Sequence, residues 1–411
     1  MTKSKTKERM PPIVCYSGCD WWYHNRGLFV TQVMTRLAKD RKVLFINSLG
    51  LRVPSMKQDR RALHKIFRKI RSCVRFLRRD KESGMYVMSP ISLPLWSSKL
   101  GCLFSAYSIM VQVKLAMLIL RIKSPIHYVG CPAAWEVLKR VRRRYLIYER
   151  TDLFEEMPEV DKPYIKSLDN DLVESSDLVL YVDAVMYDEG VKVNPNSVLI
   201  GHGVDFPFFA GADESDYVPA DIANVPRPIV GYFGDICDKT FDFDLVRHLA
   251  ASLPEMSFVL VGPLSSDVSC LREFNNVHIL GQKAYEDIPH YGKVFDASTL
   301  PWKKNRWVTH SYPIKIKEYL ALGRPFVSVD IPAIESFADV TYVAGDYDDF
   351  VVKLTQAVED KDAESIQRRK ESVRFETWDS KVEQIVDFIE KGPRLETQTQ
   401  GKMMIQASES Q

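Results

Sequence analysis

The sequence predicts an α/β protein built from two parallel-sheet domains, and three observations predict it. The chain has 411 residues, too many for a single core. Short apolar runs alternate with longer amphipathic segments, which is the rhythm of βαβ units. That rhythm halts at the proline-rich stretch Val225-Pro226-Arg227-Pro228 and starts afresh at Ile229.

In the first half, strands are predicted at 13–16, 43–47, 86–89, 126–130, 146–149, 178–182 and 198–201, with helices between most of them. A polar and aromatic loop, 17–26, follows the first strand, and a helix follows over about 27–39. In the second half, 229–234 is a strand ending in a glycine turn, with a helix from about Phe243; strands follow at 258–263, 277–281, 295–298 and 326–329. The domains read as 1–205, a linker 206–228, a second domain 229–376, a final helix 377–391 and a polar tail 392–411 expected to be disordered.

Composition is that of a soluble globular protein, with 45% apolar and 27% charged residues. Seven cysteines without regular spacing give no disulfide framework, so a reducing cytosol is expected. The basic N-terminus is not followed by the apolar stretch of a signal peptide. Net charge is +2, but residues 1–205 carry 34 Lys and Arg against 21 acids and the remainder 22 against 33. This asymmetry points to an anionic partner on the N-terminal side, with chance drift between domains as the alternative.

Two segments interrupt the alternation. Residues 52–79 hold eleven basic residues and one acid, with Leu63, Ile66, Phe67, Ile70, Val74 and Leu77 at helical spacing. They predict a basic amphipathic helix that lies on an anionic membrane or packs on its own domain. Residues 100–122 are apolar, but Gln112 and Lys114 sit at the centre, and the alternation needs a helix there. A helix buried in the domain or touching lipid is expected, rather than a span.

The densest pattern is Pro313-Ile-Lys315-Ile-Lys-Glu318-Tyr-Leu-Ala-Leu-Gly323-Arg-Pro325-Phe-Val. Pro313 suits the first helical position, Ser311 can cap ahead of it, and Gly323 suits the left-handed stop. Free N–H groups of the first turn and the Lys315 charge form an anion site. Glu318 lies on the same face and could accept from paired hydroxyls. A surface ion pair on an ordinary amphipathic helix is the other reading.

This pattern resembles the nucleotide-sugar site of the group-1 glycosyltransferases of the GT-B fold. It is similar to the teichuronic-acid and exopolysaccharide biosynthesis enzymes among them, and more distantly to the xanthan glucuronosyltransferase. The resemblance implies two Rossmann-like domains facing across a cleft, with the C-terminal helix crossing back. It also implies Lys315 on a diphosphate and Glu318 on a ribose. Gly234 and Lys239 would serve the phosphates, and Tyr285 either the base or the core. Retaining relatives carry an acid where His310 stands here, so inversion assisted by an aspartate becomes an alternative to retention.

Candidates for the general base are Asp20, His24 and Asp152. Asp20 and His24 sit in the loop after the first strand, and Asp152 follows the strand at 146–149, whose end faces the cleft. Asp152 matches the second acid of the Tyr-Asp-x-x-Asp pattern of relatives. Each acid could instead be a cap or turn residue. Trp21, Trp22 and Tyr23 would stack on an acceptor sugar or pack the loop. No metal and no cofactor beyond the nucleotide diphosphate sugar is expected. Expected partners are that donor, a glycan or lipid-linked acceptor and an anionic membrane surface, and not nucleic acid. An epimerase of the same architecture and a non-catalytic glycan-binding protein are the alternatives.

Overall fold

The computed structural model describes residues 11–23, 27–49, 71–91, 99–141, 143–157 and 160–391. The N-terminal domain is built on β1 (Ile13–Ser17), β2 (Val43–Ile46), β3 (Leu77–Arg79), β4 (Tyr86–Met88), β5 (Ile126–Gly130), β6 (Tyr145–Arg150), β7 (Leu178–Tyr181) and β8 (Ser197–Leu199). They lie in the order β3-β4-β2-β1-β5-β6-β7-β8. All pairs are parallel except β3 with β4. Both faces of the sheet are covered, which is why strands such as β1 and β2 read as unbroken apolar runs rather than alternating ones.

Alternate residues of each strand go to opposite faces. Val14, Tyr16 and Leu44 pack with α2 (Lys99–Ile119) and α3 (Lys162–Ser175). Ile13, Cys15 and Phe45 pack with α1 (Phe29–Leu37) and with Trp378 and Ile385 of the terminal helix, Trp378–Lys391. The last helix among the described residues therefore crosses back to complete the N-terminal core.

The second domain carries β9 (Ile229–Phe233), β10 (Ser257–Val261), β11 (Val277–Gly281), β12 (Ala297–Leu300), β13 (Phe326–Val329) and β14 (Tyr342–Ala344), in the order β11-β10-β9-β12-β13-β14. Every pair is parallel. The strand order reverses at β9 and β12, the point where open sheets of this kind leave a crevice at their carboxyl ends. The expected linker is itself packed: Phe209, Ala212 and Ile222 are buried in the second domain's core.

The domains are joined where Val204 pairs with Thr377. The Val204 N–H donates to the Glu376 carbonyl at 2.8 Å, and the Trp378 N–H to the Val204 carbonyl at 3.3 Å. A Cβ on Gly203 would lie 2.7 Å from the Trp378 ring, so this crossing needs a glycine. Lys317 is buried beneath it, donating at 2.6 Å to both the His202 carbonyl and Glu376.

The basic helix expected over 52–79 is corrected at its end. Residues 71–74 are helical, but Leu77–Arg79 is a strand held by antiparallel pairing to β4. Strand pairing outweighed the helical spacing of Leu77. The remainder of that prediction, 52–70, lies outside the described residues, as do His24 and the tail 392–411. Among the described residues no helix is long and apolar enough to cross a membrane.

Candidate active site

On the second domain the site is organised by the helix Lys315–Leu322, here α4 of the elements that matter, ended by Gly323 at φ 72°. The expected Ser311 cap is not made. The Ser311 hydroxyl donates instead to the Trp307 carbonyl at 2.8 Å, closing the preceding turn Arg306–Thr309. The assigned helix opens two residues beyond Pro313, whose carbonyl accepts the Ile316 N–H at 3.2 Å.

Lys315 runs directly over Gly234. A Cβ there would come within 2.7 Å of Lys315 Cε and of the Tyr232 hydroxyl, and Gly234 has φ 155°. Both the passage and the backbone angle favour glycine here. The ammonium then rests over the Trp302 ring, 4.8 Å from its centroid, with Tyr232 at 5.8 Å. Burial pushes the lysine pKa down, opposed by the charges of Glu318 and Asp235. Burial likewise pushes Glu318 up, opposed by Lys315 and by the Tyr285 hydroxyl, which lies 3.5 Å from Oε1. The result is a half-buried cation and a buried carboxyl, three residues apart on one helical face, at the positive end of a helix. Tyr285 packs its ring against Phe208 and Phe209.

Across from it, Asp152 follows β6 and accepts from Trp307 Nε1 at 3.2 Å. Burial raises its pKa to about 6, with that hydrogen bond pulling the other way. Arg306 adds an ion pair to Glu156 at 3.1 Å and a longer one to Glu155 at 3.8 Å. The carboxyl ends of the two sheets thus meet through Trp307 and Arg306. His310 joins this group: its backbone N–H donates to the Trp307 carbonyl at 3.1 Å, and its Nδ1 donates to the Arg306 carbonyl at 2.8 Å. Lys239 is exposed, and its carbonyl accepts from Asn305, which caps the same turn.

Asp20 stands apart. It is buried, and its oxygens accept from the Trp22 N–H at 3.0 Å, from Asn47 at 3.2 Å and from Ser72 at 2.9 Å. Those donors make it a bracket that ties the loop after β1 to Asn47 and Ser72. Trp21 is buried against Phe45, and Trp22 stacks with Arg75, so both pack the loop. The structure therefore gathers Gly234, Tyr285, Lys315 and Glu318 in one group, and Asp152, His310 and Ser311 around Trp307 in another.

Sequence reasoning missed Trp302, Tyr232 and Trp307. Trp302 lies just past the carboxyl end of β12, so the strand-end rule that singled out Asp152 could have found it. A cavity of about 360 Å³ lined by Asp213, Ile222, Val225, Arg227 and Lys293 lies against the packed linker and shares no residue with either group.

No protein-family model matches the chain. Over 169 residues it is 27% identical to TuaH of Bacillus subtilis (strain 168), a candidate teichuronic acid biosynthesis glycosyltransferase. The match spans 39% of this chain and 42% of that protein, under half of either. Among solved structures, sucrose-phosphate synthase from Thermosynechococcus elongatus superposes with a TM-score of 0.68 at 14% identity, over 93% of this chain and 99% of the other. Anabaena HepE in complex with UDP and glucose does so at 0.64 and 15% identity, over 92% and 99%. A glycosyltransferase from Rickettsia africae gives 0.65 at 11% identity, over 94% and 99%. The chain has the fold these structures share, the GT-B arrangement of two Rossmann-like domains closed by a returning C-terminal helix.

Proposed function

We propose that the protein is a glycosyltransferase that moves a sugar from a nucleotide diphosphate donor to a glycan or lipid-linked glycan in cell-surface polysaccharide synthesis. The observation that carries this reading is the half-buried Lys315 and the buried Glu318 on the first turns of one helix, with Lys315 laid over Gly234 and Trp302. A partly buried lysine at a helix N-terminus, with Glu318 and Asp235 as its neighbouring charges, offers a cation and free N–H groups to a diphosphate. Glu318 then accepts from the paired hydroxyls of the ribose. The similarity to TuaH and the UDP-bound HepE structures support the same donor class.

Transfer breaks the bond from the anomeric carbon to the diphosphate oxygen and forms one to the acceptor oxygen. Lys315 and the first-turn N–H groups stabilise the charge that develops on the leaving diphosphate. The acceptor proton goes to Asp152, whose pKa near 6 leaves it ionised yet basic at neutral pH. Trp307 orients that carboxylate. His310 offers no carboxylate to the donor sugar, which favours a single displacement with inversion. The acceptor sits on the N-terminal side, at the inner face of the cell membrane.

A panel of nucleotide sugars tests this, read by nucleotide release with and without acceptor and by the anomeric proton of the product. Release from one donor with the opposite anomeric configuration is expected. Failure to bind or cleave any nucleotide sugar overturns the reading, and a retained configuration overturns the role of Asp152.

A further inference from the structure

The helix Lys99–Ile119 (α2) carries two apolar stripes, and the domain uses only one. Ala106, Ile109, Val113 and Ala116 are buried against the sheet. At 100° per residue the opposite side of the helix carries Phe104, Tyr107, Val111, Leu115 and Leu118. These are 60, 47, 59, 48 and 75% exposed. Five large apolar side chains at helical spacing form one continuous strip, not the scattered single residues that any surface shows. Ile91, also exposed, is fixed beside it by two hydrogen bonds to Gln112 at 2.9 and 2.8 Å.

The rim of the strip is cationic. Lys114 is exposed along its flank, and Arg121 and Lys123 are exposed just past the helix end. The Arg140 guanidinium stands 5.6 Å over the Tyr107 ring. Between residues 99 and 144 the sequence has nine basic residues and one acid, Glu136. That acid is already paired with Lys139 at 2.6 Å and Arg140 at 3.2 Å. A second copy of the chain would bring these cations against their own kind. An apolar strip edged by an excess of cations fits a bilayer of anionic phospholipid, whose acyl boundary takes the leucines and whose head groups take the charges.

We propose that the exposed face of α2 docks the protein on an anionic phospholipid surface, with Val111, Leu115 and Leu118 entering the acyl boundary. This deepens the reading that sets the acceptor at the membrane, and nucleotide binding does not depend on it.

The test uses the full chain and vesicles of phosphatidylcholine with or without phosphatidylglycerol. Sedimentation should show binding to the mixed vesicles only. The triple variant Val111→Ser, Leu115→Ser, Leu118→Ser should bind at least about tenfold more weakly, as expected for lost acyl contact. Its thermal midpoint and nucleotide affinity should be retained, since these side chains are exposed. Tryptophan fluorescence in the Leu115→Trp variant should shift to the blue on the mixed vesicles and be quenched by brominated acyl chains. No binding by the parent protein overturns the proposal. So does unchanged binding by the triple variant, or binding without a shift at position 115, which would move the contact to another segment. A dimer of the parent that the triple variant dissolves assigns the strip to a second copy instead, and also overturns it.

Discussion

Replacing Asp152 with Asn should make the protein more stable and less active, and the two effects should separate by pH. Burial holds this carboxyl at about 6 in the folded state, whereas an unfolded aspartate titrates near 3.9. The folded state therefore binds the proton more tightly, so the desolvation penalty is absent below pH ~4, grows between the two values and is complete above pH ~6. Two pH units correspond to about 3 kcal/mol. Asp152 is only partly covered, so screening by water reduces this to about 1–2 kcal/mol. Asn keeps an oxygen for the Trp307 N–H while removing the charge. Urea unfolding at pH 8 should show Asp152→Asn more stable by that amount, with little difference at pH 4. Turnover should fall by about 10²–10⁴, the usual worth of a general base, with donor affinity unchanged. In the parent enzyme kcat should rise through an acidic limb near pH 6, and Trp307→Phe should move that limb upward, since the indole hydrogen bond favours the ionised form. Equal destabilisation at both pH values would make Asp152 a turn residue, and full turnover in Asp152→Asn would remove it from the chemistry.

Three further outcomes are expected. Glu318→Ala should weaken binding of nucleoside diphosphate by about 1.5–3 kcal/mol, the range for hydrogen bonds to a charged group, and calorimetry measures it; parental affinity in a folded variant refutes the ribose assignment. Gly234→Ala places a Cβ 2.7 Å from Lys315 Cε, and the overpacking costs about 1–3 kcal/mol. Lys315 is then displaced from Trp302, and nucleotide affinity should fall by more than that of a neutral surface variant such as Glu359→Gln, which is the control. Lys317→Met removes the cation that joins the His202 carbonyl to Glu376 at the hinge, and should cost about 3 kcal/mol in urea unfolding, since it breaks a pair buried on one side. An unchanged midpoint would show that Lys381, 2.8 Å from Glu376, carries the contact alone.

The sequence by itself determined the parts whose signal is local. Apolar runs marked the central strands of both sheets, because a strand buried on two faces has no polar alternation to hide it, but the edge strands Leu77–Arg79 and Tyr342–Ala344 were missed. The break at Val225–Pro228 marked the start of the second sheet, and Gly323 marked a helix end that needs φ near +72°. Lys315 and Glu318 were legible because their spacing on one helix fixes their common face. Where local signals competed with pairing, they lost. Leu77 has helical spacing but pairs with Met88 as a strand, and Ser311 has a capping side chain but spends it on Trp307.

Only the tertiary structure decided which residues support the site. Trp302 lies beneath Lys315 because β9 and β12 are neighbours in the sheet, and nothing in their sequence spacing says so. Trp307 reaches Asp152 across 155 positions because the two sheets turn their carboxyl ends toward each other. Asp20 and Asp152 looked alike as strand-end acids, yet three donors bind the first into its loop while the second meets one indole. The same holds for α2: its apolar composition was plain, but which stripe the sheet would cover was not. Periodicity fixes which side chains share a face of one element, whereas the partner of that face is set by chain closure over long separations, which no local pattern encodes.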